Sequence, residues 1–147
     1  MAQIEVRGLA RLNTKLGRAG ANQILERPMA KSLAIVEATL KTEPPPRPGQ
    51  RYIRGRGPTN AAGVVIRETS EHLSATWSSN VTLSPSGVRG QLRNNVSYAP
   101  WVVSDQWQAW MHKGRWVTDV QAVQNNMDRI RQIFNAEVAK ELGDNNG

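Results

Sequence analysis

The 147 residues include no cysteine, which rules out disulfides and thiolate metal sites and suits a protein made in a reducing compartment. No apolar run approaches the roughly 18 residues that a membrane span requires, and the first residues lack a signal-peptide core. A soluble protein without membrane contact is therefore expected. Carboxylates are also scarce in places, with none between His72 and Ser104. His72 and His112 are the only histidines, and neither has Asp, Glu or His nearby at metal-ligand spacing. Asp105 precedes His112 by seven residues, but a lone pair of this kind is half a triad at best. No Gly-x-Ser-x-Gly elbow occurs. Gly55-Arg56-Gly57 is followed by Pro58, whereas a phosphate loop needs Gly-Lys-Ser/Thr opening a helix. The expectation is a non-enzyme with no catalytic residue, cofactor or metal.

What is present is positive charge, unevenly placed. The formal net charge is +7, made up of +9 over residues 1–116 and −2 over residues 117–147. Residues 44–60 hold five prolines and four arginines (Arg47, Arg51, Arg54 and Arg56) with no acid. Proline on this scale excludes a helix or a central strand. This stretch is expected to project as a loop whose backbone cannot pair in a sheet. Arg47, Arg51, Arg54 and Arg56, with Tyr52 beside them, are its candidate contacts to a partner or to a polyanion.

Hydrophobic spacing indicates an α+β domain spanning residues 1–147. Leu9, Leu12 and Leu16 form the stripe of a short helix that Gly17 and Gly20 should end. A second helix, capped by Asn22, continuous from about Arg27 and preceded by a short turn over residues 22–25, carries Ile24 or Leu25, then Met29, Leu33, Val36 and Leu40, to Lys41. Residues 74–83 alternate cleanly, with Ala75, Trp77, Ser79, Val81 and Leu83 on one face. After the Ser84-Pro85-Ser86-Gly87 turn, Val88, Gly90, Leu92, Asn94 and Val96 continue the alternation, giving an antiparallel hairpin. Residues 64–66 could add a strand. Thr118 and Gln121 form a capping box that opens one long C-terminal helix. Val120, Val123, Met127, Ile130, Phe134 and Val138 make the helix stripe, expected to cover a sheet face. Residues 143–147 read as a polar tail.

Residues 94–116 hold four of the five tryptophans and fit no continuous helix or strand. Pro100 and Gly114 interrupt both. Large aromatics outside a regular element either plug a local core or face a partner. Tyr98 and Trp101 are expected to be buried, and Trp107, Trp110 and Trp116 are the candidate subunit contacts.

Val96-Ser97-Tyr98-Ala99-Pro100-Trp101-Val102, followed by Gln108-Ala109-Trp110-Met111-His112-Lys113-Gly114-Arg115-Trp116, resembles the C-terminal half of the minor tail component and tail-completion family of long-tailed bacteriophages. The likeness is best over residues 95–122. It is echoed by Ile4-Glu5-Val6-Arg7-Gly8-Leu9 and by the proline-rich run with Arg51-Tyr52-Ile53-Arg54. Relatives follow that aromatic and arginine with Thr-Gly-x-Leu, whereas this chain has Gly55-Arg56-Gly57-Pro58. The resemblance implies a structural virion protein at the head–tail junction, made in the host cytoplasm. It implies a homo-oligomeric ring, most readily a hexamer, between the head connector (or head-completion protein) and the tail terminator or tail tube. DNA would pass through its lumen, with non-specific contact. The alternative from the residues alone is a small basic nucleic-acid-binding domain.

Overall fold

The computed structural model describes residues 1–6, 10–45, 47–49, 52–53, 57–58, 60–64 and 72–144. In chain order they form β1 (Ala2–Val6), α1 (Ala10–Lys41), β2 (Tyr52–Ile53), β3 (Gly57–Pro58), a 3₁₀ turn (Leu73–Ala75), β4 (Trp77–Ser84), β5 (Gly87–Asn94), α2 (Ala99–Val103), α3 (Asp119–Asn125) and α4 (Met127–Asp144). The architecture is α+β: an antiparallel sheet of order β1-β5-β4 with helices packed against it. The expected hairpin is β4–β5, in register from Ser84↔Gly87 to Trp77↔Asn94.

Strand β5 is central, and its alternation turns Val88, Gly90 and Leu92 into the core. Helix α1 lies over that face. At Gly90 the approach is so close that a Cβ would stand 2.6 Å from Met29 Sδ and 3.0 Å from Leu33 Cδ1. Glycine serves close contact here rather than turning, since any side chain would have to displace Met29. Strand β1 pairs along the other edge of β5, from Ala2↔Leu92 to Val6↔Val88. Its five residues are too short to show a period on their own.

The expected break between two N-terminal helices does not occur, and α1 is continuous through Gly17, Gly20 and Pro28. A single buried stripe of Ala21, Leu25, Met29, Leu33, Val36 and Leu40 runs on both sides of Pro28. Tertiary burial of that stripe outweighs the local cost of glycine and proline. Pro28 supplies no N–H to the preceding turn, and the buried Ser32 hydroxyl donates to the Pro28 carbonyl at 2.7 Å.

The capping box forms: Gln121 N–H donates to Thr118 Oγ1 at 3.2 Å, and Thr118 N–H donates to Gln121 Oε1 at 3.1 Å. The long C-terminal helix is divided at Asn126, however, into α3 and α4. Asn126 Nδ2 bonds both the Ala122 carbonyl and Thr39 Oγ1, which anchors the joint to α1. Helix α4 packs chiefly along α1 rather than over the sheet, and Lys31 bridges to Glu137 between them.

Two further expectations are corrected. The proline-rich loop does pair its backbone, as the small ladder β2–β3, separate from the main sheet. Pro58 fits there because a two-strand ladder is all edge. Val64 lies outside any strand and is exposed, while residues 65–66 lie outside the described residues. At the C-terminus, α4 includes Gly143 and Asp144, and residues 145–147 lie outside the described residues.

Candidate functional site

The tryptophan segment is irregular but closely bonded to itself. Helix α2 is a short turn opened by Pro100, with Ala99, Val102 and Val103 inward. The chain then doubles back, so that Ala109 N–H donates to the Trp101 carbonyl at 2.8 Å. Gln108 Nε2 donates to the carbonyls of Val102 and Trp116, at 2.8 and 3.0 Å. Gly114, at φ +72°, turns the chain inward toward Trp116. Below this segment the buried Asp119 carboxylate accepts from the Met1 ammonium at 2.8 Å and from Asp105 N–H at 3.0 Å. The backbone of the segment is thus held firmly against β1 and α3.

Its side chains divide into two sets. Trp116 is only 8% exposed and belongs to the core of its own chain, with its ring edge-on to His112 at 6.4 Å. It is therefore a packing residue, and the expectation of a subunit contact at Trp116 is corrected. Trp107 and Trp110 are 61% and 79% exposed. Trp101, expected inside, is 55% exposed, because α2 has room for one inward face and Val102 and Val103 occupy it. Tyr98 is half-buried. Trp101 and Trp107 meet edge-to-face at 6.5 Å, and Met111, 45% exposed, follows in the next turn. Exposed apolar side chains gathered in one short segment in this way mark interaction sites.

Beside Trp107 opens a groove of about 370 Å³, walled by Trp77, Pro100, Val103 and Trp107, with Arg93 and Asn94 among its polar lining residues. The indole N–H of Trp77 is buried and has no acceptor among the described residues. Spacing alone could not reveal this groove, because it forms where β4, β5 and α2 meet. The alternation that defined the hairpin was the one usable signal: it places Arg93 opposite Ser78.

The start of the arginine loop lies against the same segment. Arg47 Nη2 donates to the Met111 carbonyl at 3.0 Å, and Arg115 Nη2 donates to the Pro45 carbonyl at 2.6 Å. Arg47 is thereby brought to the tryptophan surface. Arg51, Arg54 and Arg56 lie outside the described residues, and of Tyr52 the backbone alone is described, in β2.

Chemistry-bearing groups elsewhere are few. His72 Nδ1 shares a hydrogen with Ser74 Oγ at 2.6 Å, and Nε2 lies 3.6 Å from Glu43. The His72 carbonyl accepts from Ala75 N–H and Thr76 Oγ1, so this group of contacts organises the 3₁₀ turn. Asp105 does not pair with His112; its carboxylate accepts from Thr118 Oγ1 at 3.2 Å. Among the described residues, no group of three or more His, Cys, Asp or Glu could hold a metal ion, and no helix is long and apolar enough to cross a membrane. No protein-family model, curated protein or solved structure matches this chain.

Proposed function

We propose that this chain is a non-catalytic docking component of a large assembly, and that the assembly is the head–tail junction of a long-tailed bacteriophage. The observation carrying the docking reading is the rigidly backed surface of Trp101, Trp107, Trp110 and Met111. Four large apolar side chains stand largely exposed on a segment whose backbone is braced by several hydrogen bonds of its own. Burying such residues at an interface supplies most of its binding energy. The resemblance of residues 95–122 to tail-completion proteins supplies the setting. In it the chain forms a homo-oligomeric ring, a hexamer, joining connector to tail terminator or tube by binding energy alone. Multivalency then makes a weak patch per subunit into a stable joint.

Mass photometry of the purified protein, with imaging of purified virions, tests this reading. A closed ring at the junction is the expected result, and a single copy per particle would end it. The nucleic-acid alternative gains from Arg47 lying beside the tryptophans. It requires the isolated subunit to bind DNA with an affinity that falls steeply with salt.

A further inference from the structure

We infer that the groove beside Trp107 receives an acidic protein segment carrying one large apolar side chain. This rests on the docking reading above and names the partner's chemistry. At about 370 Å³ the groove falls in the range of about 300–1,000 Å³ for sites that take an organic group. Trp77, Pro100, Val103 and Trp107 give it apolar walls, so the group that enters is a bulky hydrocarbon or aromatic one.

Charge identifies what flanks that group. Arg93 lines the groove, and among the described residues its bonded partner is the neutral Gln91 amide oxygen at 3.4 Å. Asp105, the one acid in residues 72–116, is engaged by the Thr118 hydroxyl. An arginine without a carboxylate partner, set in the wall of an apolar slot, complements an anionic partner and repels a basic one.

A second copy of this chain is basic overall, at +7, and several of its acids, Glu5, Glu37 and Glu137 among them, already pair with Arg89, Lys41 and Lys31 of their own subunit, so it fits less well than an acidic partner. Single-stranded nucleic acid fits less well than protein. Trp101 and Trp107 cross at 76°, so they do not offer the parallel faces on which successive bases stack. The outward positions of β5 (Arg89, Gln91 and Arg93) carry no aromatic ring.

The test uses the full chain and short synthetic peptides rich in Asp and Glu, each with one central Leu, Met, Phe or Trp, read by fluorescence anisotropy. At least one peptide is expected to bind with Kd on the order of 10–100 µM. Binding should weaken about tenfold or more when the central residue becomes Ala, and likewise in Trp107→Ala and Arg93→Glu. Both variants alter exposed side chains, and near-UV circular dichroism checks their folding. Failure of every peptide at about 1 mM, or binding indifferent to Trp107→Ala, overturns the inference. Tighter binding by oligothymidylate that displaces the peptides overturns it in favour of nucleic acid. Mass photometry on the same samples separates the two levels. A ring that forms without peptide binding sinks only this inference, whereas peptide binding by a permanent monomer sinks the ring.

Discussion

Arg47 and Met111, 64 residues apart, are joined by a hydrogen bond from guanidinium to main-chain carbonyl at 3.0 Å. Arg115 returns the link to Pro45. A proline-fixed basic loop and a tryptophan-bearing turn thus form one surface, although each alone reads as an isolated oddity of composition.

Breaking that link should loosen the surface without unfolding the protein. Arg47→Ala with Arg115→Ala is expected to lower stability by about 1 kcal/mol or less, since both bonds are exposed. Hydrogen exchange should accelerate in residues 109–115, where the Ala109, His112 and Arg115 amides are bonded. Unchanged protection there would show that the loop and the turn are held independently.

The tryptophans should separate by burial. Trp116→Ala is expected to cost about 3–5 kcal/mol in urea unfolding, the range for emptying a core aromatic site. Trp110→Ala should stay within about 0.5 kcal/mol of the parent. Similar losses in the two variants would contradict the division into core and surface rings.

Gly90 is expected to resist even the smallest enlargement. Gly90→Ala brings a methyl to 2.6 Å from Met29 Sδ and should destabilise by about 1–3 kcal/mol. Part of that loss should be recovered in Gly90→Ala/Met29→Ala, measured as a coupling energy in a double-mutant cycle. Simple additivity would mean that α1 and β5 are not in direct contact there.

The bridge between α1 and α4 has a pH signature. The hydrogen bond from Lys31, aided by the charges of Lys31, Arg27 and Lys140, holds the Glu137 carboxyl below its ordinary value. A lowered carboxylate contributes stability that is present above the unfolded-state value and is lost as pH falls through the folded one. NMR titration of the Glu137 carboxyl should therefore show a midpoint below that of a free glutamate, returning upward in Lys31→Met. An unmoved midpoint in that variant would remove Lys31 as the cause.

Much of the frame was legible because it repeats. Val88, Gly90 and Leu92 alternate, and Thr118 with Gln121 forms a local capping box whose geometry needs no distant partner. Strand β1 was hidden because Ala2–Val6 becomes a strand only by pairing with β5. The continuity of α1 was hidden because Gly17, Gly20 and Pro28 are local break signals, whereas the stripe from Ala21 to Leu40 that overrides them acts through the tertiary core. The site was legible in composition but not in sidedness. Trp107 and Trp116 stand in the same irregular segment, and what separates them is local: the positive-φ turn at Gly114 and the bonds of the Trp116 backbone to His112 and Gln108. The approach of Arg115 to Pro45 spans 70 residues and leaves no periodic trace.

The most direct measurement is hydroxyl-radical footprinting of Trp107 and Trp110 in the isolated subunit and in virions that contain it. Both rings should oxidise readily in the free protein and be strongly protected in the particle, with the buried Trp116 unreactive in both states. Equal oxidation of Trp107 and Trp110 in the two states, or absence of the chain from the particle, would contradict a docking role for this surface at the head–tail junction.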